Sequence, residues 1–86
     1  MWHLTFAAKA ANGFRRLDPP VQRQIKRYMS QVCALEDPSI RGKALTGDLV
    51  GLWRYRVGDY RLVCEIIRGE LTIIALDIDH RSAIYR

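Results

Sequence analysis

Apolar and polar residues follow different periods in the two halves of this 86-residue chain. Residues 2–6 alternate between apolar and polar, which predicts a short, half-buried strand. From Ala7 to Leu17, and again from Val21 to Leu35, apolar residues recur every three or four positions, which predicts two helices. Asp18-Pro19-Pro20 separates them, because aspartate is favoured as a helix cap and proline is tolerated in a first turn.

After a segment without a sustained period, residues 36–48, the spacing of apolar residues changes to two. The predicted strands are Leu52–Val57, Tyr60–Ile67 and Leu71–Ile78. Gly58-Asp59 has the residues of a two-residue hairpin turn, with glycine supplying the positive φ, and Arg68-Gly69-Glu70 turns the chain again. The third strand is apolar on both faces, so we expect it to be central or covered on both sides.

These elements predict a single α+β domain over residues 1–86, built as a strand, two helices and a three-strand antiparallel meander. The helical pair covers one face of the sheet in this two-layer arrangement. Alternation places Arg54, Arg56 and Arg61 on the other face, with Glu65 as the only acidic residue beside them. Guanidinium groups in such a cluster repel one another unless an anion lies among them.

The composition also favours an anionic partner, since 14 Lys plus Arg against 9 Asp plus Glu give a net charge of +5. Eleven of the cations are arginine, whose planar group grips phosphate through paired hydrogen bonds. No apolar stretch approaches the roughly 20 residues of a membrane span, and the first residues do not resemble a signal peptide, so a cytoplasmic protein without a membrane partner is expected. Cys33 and Cys64 lack metal-ligand spacing and are expected to be reduced and buried.

Two segments resemble a known family. The stretch from Lys43 to Cys64 (KALTGDLVGLWRYRVGDYRLVC) and the tail from Asp79 to Tyr85 (DHRSAIY) closely resemble the central and closing segments of RelE-type toxins of the RelE/ParE superfamily. The resemblance covers nearly the whole chain. It implies a fold similar to that of small microbial ribonucleases.

The same resemblance implies a function and partners. Such toxins cut mRNA in the ribosomal decoding site without a metal or other cofactor, by attack of a 2′-hydroxyl on the adjacent phosphate. A cognate antitoxin silences the toxin, and the complex binds operator DNA through the antitoxin. By this likeness Arg61 would bind the scissile phosphate, Arg81 would stabilise the transition state, and Tyr85 would orient or stack on the nucleotide.

The sequence departs from the best-known members where Arg54 and Arg56 replace lysines. Arginine keeps its proton at neutral pH, so these two residues, with Lys43, are assigned to RNA binding rather than proton transfer. His80 is then the side chain whose ordinary pKa of about 6.5 suits a general acid or base, and which of the two remains open.

Other interpretations stay open at this point. The three arginines would also be consistent with a solvated sheet face, His80 with a strand-terminal histidine near Asp77 and Asp79, and Tyr85 with a ring packed on the sheet. A ParE-like toxin, which has the same fold but poisons DNA gyrase, and an inactive toxin-fold binding module are the alternative functions.

Overall fold

The structure, a computed structural model, describes residues 1–80 and confirms the predicted α+β class. Its helices are α1 (Ala8–Arg15) and α2 (Pro19–Cys33), and its strands are β1 (His3–Phe6), β2 (Lys43–Ala44), β3 (Trp53–Val57), β4 (Tyr60–Ile67) and β5 (Thr72–His80). Three short 3₁₀ turns lie at Pro38–Arg41, Gly47–Leu49 and Arg68–Glu70.

The five strands form one sheet in the order β1-β5-β4-β3-β2. The β3-β4-β5 meander is antiparallel as predicted, and Gly58 has the positive φ (59°) expected in its first turn. β5 lies inside the sheet, between β1 and β4, which agrees with the prediction of a central strand. β1 joins the sheet parallel to β5, with Leu4 beside Ile73.

Residues 36–48 are more ordered than the predicted loop. Lys43 and Ala44 pair with Arg54 and Trp53, which makes β2 an edge strand. The phenol of Tyr55, fully buried, donates a hydrogen bond of 2.7 Å to the carbonyl oxygen of Pro38 and ties this segment to the sheet. A two-residue strand has too few positions to show a period, so alternation did not predict it.

Both helices pack on the same face of the sheet, as expected from their apolar stripes. One buried cluster joins Ala10 of α1 and the stripe of α2 to Tyr55, Leu62 and Ile73 of the sheet; the buried α2 members of that cluster are Ile25, Met29, Val32 and Cys33. α1 lies alongside β5, where a Cβ added to Gly13 would lie 3.7 Å from the carbonyl oxygen of Ile78.

The start of α2 differs from the prediction in one respect. The helix begins at Pro19, and Asp18 occupies the cap position, but its side chain makes no capping hydrogen bond. Its backbone carbonyl accepts from the amides of Val21 and Gln22 instead, at 2.9 and 3.0 Å. The main chain and the two prolines therefore define this helix start.

β5 contains a bulge that reverses its side-chain alternation. Val63 pairs with Asp77 and the next residue, Cys64, pairs with Ala75, so Leu76 is the extra residue. Before the bulge Ile73 and Ala75 are the buried residues, and after it Ile78 is. β5 also continues to His80, two residues beyond the predicted end at Ile78.

Candidate RNA-binding and catalytic site

Four basic side chains share the sheet face opposite the helices, which we call the arginine face. Lys43 is the cross-strand partner of Arg54, and Arg56 is the partner of Arg61. Cross-strand partners point to the same side of a sheet, and Arg54 and Arg56 are two residues apart on β3. The predicted RNA-binding residues and Arg61 therefore lie on two neighbouring rows of a single surface.

The four residues differ in how deeply their side chains are buried. Arg61 is only 6% exposed, whereas Arg54 is half-buried and Lys43 and Arg56 are exposed. Within residues 1–80, Lys43, Arg54 and Arg56 form no ion pair with a carboxylate. Concentrated positive charge of this kind favours a polyanion, and a buried guanidinium beside more exposed cations is suited to one defined phosphate.

Acidic residues are nearer to this surface than predicted. The expectation that Glu65 is the only acid on the arginine face is wrong, because the bulge turns Asp77 and Asp79 towards it, opposite Val63 and Arg61. The two acids are two residues apart and so share a face, and the bulge determines that this face is the one with the arginines.

The two acids have different environments. Asp77 accepts from the ammonium of Lys9 at 3.1 Å and from the backbone amide of Ile78 at 3.0 Å. Burial raises the pKa of Asp79, and the hydrogen bond and negative charge of Asp77 raise it further, with Lys9 opposing the shift. Asp79 therefore keeps its proton more readily than an ordinary aspartate does.

His80 lies on the other side of the sheet from Arg61. Its cross-strand partner is Tyr60, and the two rings meet edge to face with 5.1 Å between their centroids. Tyr60 packs against the buried core on the helix face. His80 therefore follows Asp79, the cross-strand partner of Arg61, at the end of the sheet. The His80 ring is directed to the opposite surface from the Arg61 side chain.

Arg81 and Tyr85, the other two predicted catalytic residues, lie outside the described residues. Of the aromatic side chains near the site, Tyr55 is fully buried, and Trp53 and Tyr60 pack against the core. All three rings therefore belong to the core or pack against it. Burial raises the pKa of Tyr55.

Cys33 and Cys64 are both buried free thiols. Burial, followed by the influence of Cys33, raises the pKa of Cys64 to about 12.

Across residues 1–80, no three His, Cys, Asp or Glu side chains gather in a group able to hold a metal ion. No helix in that range has the length and apolar character to cross a membrane.

Comparisons with known proteins agree with this architecture. The family described as "ParE toxin of type II toxin-antitoxin system, parDE" matches residues 4–85. The protein named Toxin RelE from Mycobacterium tuberculosis is 34% identical over 85 residues, which cover 99% of this chain and 87% of that protein.

Solved structures give the same result. The RelBE2 toxin–antitoxin complex from M. tuberculosis contains a chain that matches with a TM-score of 0.83 and 28% identity, covering 93% of this chain and 98% of that one. The isolated Escherichia coli RelE toxin matches with a TM-score of 0.73 and 21% identity, covering 99% of this chain and 92% of that one, which shows the shared fold. The chain belongs to the RelE/ParE family and is a toxin of a type II toxin–antitoxin system.

Proposed function

We propose that this toxin is a metal-independent endoribonuclease that cuts mRNA in the decoding site of the ribosome and so stops translation. The observation that carries this proposal is the arginine face, where Lys43, Arg54, Arg56 and the nearly buried Arg61 converge. The likeness to Toxin RelE at 34% identity and to Toxin RelG at 31% identity, both from M. tuberculosis, supports the same branch of the family.

In the proposed reaction the 2′-oxygen of one nucleotide attacks the adjacent phosphorus and the 5′-oxygen of the next nucleotide leaves, which yields a cyclic phosphate. Negative charge grows on the phosphate oxygens in the transition state. Arg61 is the donor held in place to meet it, and Arg81 is assigned the same task by the family resemblance. Arg54, Arg56 and Lys43 hold neighbouring phosphates.

Two protons have to move in this reaction, one from the 2′-hydroxyl and one to the leaving 5′-oxygen. Arginine is unsuited to either transfer, so we assign one of them to His80 and the orientation of the nucleotide to Tyr85. Because the His80 ring faces away from Arg61, it would have to reach the phosphate bound by Arg61 past the end of the sheet. Asp79, opposite Arg61, is the nearest titratable group along β5 on the arginine face itself.

The partners follow from the same proposal. A cognate antitoxin would bind and silence the toxin, a proposal supported by the likeness to chains solved in RelBE toxin–antitoxin complexes. Its binding segment should be acidic enough to match the arginine face. Ribosome and mRNA would be the targets, and the complex would bind operator DNA through the antitoxin. A cytoplasmic location is part of the proposal.

The second candidate is a gyrase poison, favoured by the name of the matching family, which is that of ParE toxins. The deciding experiment expresses the toxin briefly without antitoxin, then maps mRNA ends on translating ribosomes and DNA breaks attributable to gyrase in the same cells. Cuts inside ribosome-covered codons support the ribonuclease. Gyrase-dependent DNA breaks with intact mRNA would replace it with the ParE-like activity.

A further inference from the structure

A second basic surface adjoins the arginine face at Arg56, in the open groove between α2 and the β3–β4 hairpin. The groove has a volume of about 270 Å³, and its polar lining comes from Gln24, Arg27, Tyr28 and Gln31 on the helix and Arg56 on the strand. Gln24 closes one end, where its side-chain nitrogen would lie 3.1 Å from a Cβ built on Gly58.

Arg41 adds a third guanidinium at the rim of this groove. Its Nη1 donates to the side-chain oxygen of Gln31 at 3.1 Å, and its guanidinium lies over the ring of Tyr28, 5.9 Å from the ring centroid. These two contacts fix Arg41 beside the groove rather than leaving it free in solvent. The contacts also occupy the oxygen of Gln31, which leaves its amide nitrogen as a donor.

The electrostatic character of the groove is strongly cationic. None of the residues that line it is acidic, and within the described part of the chain Arg27 and Arg56 form no ion pair. Arginine and amide side chains together offer many hydrogen-bond donors and few acceptors, the combination that suits phosphate oxygens.

Arg56 connects this groove with the arginine face. It is the cross-strand partner of Arg61 and also lines the groove, so one strand of nucleic acid leaving Arg61 past the outer edge of β3 would enter the groove next. The order of cations along that path is Arg61, Arg56, Arg27 and Arg41.

An added peptide strand fits this place poorly. β2 already covers the outer edge of β3 up to Arg54, and the hairpin turn begins at Gly58, so only Tyr55 to Val57 remain for pairing. That stretch is shorter than the usual strand of about 5–6 residues. The groove therefore favours side-chain contacts to an anionic backbone over main-chain pairing with a protein.

We propose that the groove between α2 and the β3–β4 hairpin binds a phosphate group of an RNA backbone, outside the site of cleavage, through Arg27 and Arg41 with help from Gln24 and Gln31. This subsite rests on the proposed ribonuclease function. The phosphate has two possible sources, the mRNA strand beyond the scissile bond or ribosomal RNA, and the chemistry of recognition is the same for both.

The test compares Arg27→Ala and the double variant R27A/R41A with Arg23→Ala, an exposed arginine on the same helix that does not line the groove. Binding is measured over a range of salt concentrations with a single-stranded RNA oligonucleotide and, separately, with purified ribosomes. Loss of one charged hydrogen bond should weaken binding about 10-fold. It should also lower the salt slope by about 0.7 for each lost phosphate contact to single-stranded RNA.

Weaker binding of the oligonucleotide assigns the groove to the mRNA strand, and weaker binding of ribosomes alone assigns it to ribosomal RNA. Affinities and salt slopes equal to those of Arg23→Ala in both assays would overturn the proposal, as would a loss confined to the binding of purified antitoxin. Cleavage by the wild-type protein on programmed ribosomes is followed in parallel. Absence of cleavage with groove-dependent RNA binding would count against the proposed function and not against the subsite.

Discussion

Tyr60 and His80 are directly opposite each other on β4 and β5, and their rings meet edge to face with centroids 5.1 Å apart. On the next row Arg61 is opposite Asp79, with side chains on the other surface. The predicted phosphate ligand and the predicted proton-transfer group are thus neighbours in the sheet but are directed to opposite sides of it. This relationship makes their separate contributions to cleavage open to measurement.

Replacement of Arg61 by alanine should slow single-turnover cleavage on programmed ribosomes by about 10²–10³-fold, comparable to the loss of one preorganised donor. Arg61→Lys should restore part of the rate, because the charge remains while the forked geometry is lost. Arg68→Ala is the matched control, since Arg68 follows β4 at its far end and pairs with Asp37 at 3.3 Å. An equal loss in the control, or none in Arg61→Ala, would remove Arg61 from the mechanism.

His80→Ala should flatten the pH dependence of the same single-turnover rate between about pH 5 and 8, where histidine changes its protonation state. Tyr60→Phe keeps the ring that contacts His80 and serves as the control. An unchanged rate and an unchanged pH profile in His80→Ala would leave the toxin function intact. They would indicate that another group transfers the proton, and Asp79 would be the next residue to substitute.

Asp79→Asn should increase stability at neutral pH. A carboxyl whose pKa is raised by folding destabilises the native state where it is ionised, and this cost disappears as the pH falls below its unfolded pKa of about 3.9. The variant's advantage in Tm, roughly a few degrees at pH 7, should therefore vanish on acidification to about pH 3.5.

Thermal unfolding across this pH range checks the prediction, with Asp77→Asn as the comparison. That change removes the ion pair to Lys9, whose ammonium is largely exposed, and should alter stability by no more than about 1 kcal/mol. A less stable Asp79→Asn at pH 7 would instead identify Asp79 as a counter-charge needed by the arginine face.

Tyr55→Phe should destabilise the protein by about 1–2 kcal/mol, because the carbonyl oxygen of Pro38 loses its buried donor. For a domain of this size the expected fall in Tm is roughly 4–16 °C. Tyr60→Phe, on a half-buried ring, is again the control. Hydrogen exchange should show that the loss is greatest around Lys43, since this bond anchors the segment that carries it.

The sequence predicted most of this fold because most of its elements are long enough to show a period. Helix α2 and the hairpin around Gly58 are examples, and the position of β5 followed from its two apolar faces. β2 escaped prediction because it has two residues. The pairing of β1 with β5 depends on a contact between the two ends of the chain, which no local pattern encodes.

Alternation could predict which side chains share a sheet face only where the strands pair regularly. Alternation correctly gathered Arg54, Arg56 and Arg61, since β3 and β4 are paired there without interruption. It could not place Asp79 beside Arg61, because that position depends on the bulge at Leu76, which breaks the alternation of β5. The groove beside Arg27 depends on the packing of a helix against a hairpin, so the spacing of residues within either element did not indicate it.

The single extra residue in β5 determines on which face of the sheet each later residue of that strand lies. If Leu76 instead paired regularly with Val63, each later residue would move one partner along β4, so that Ile78 would be opposite Arg61 and both Ile78 and His80 would lie on the arginine face. A relative with a regular fifth strand can therefore carry an identical closing motif and yet hold its histidine on the opposite surface. Matching such motifs by letter alone equates residues that are not equivalent in space.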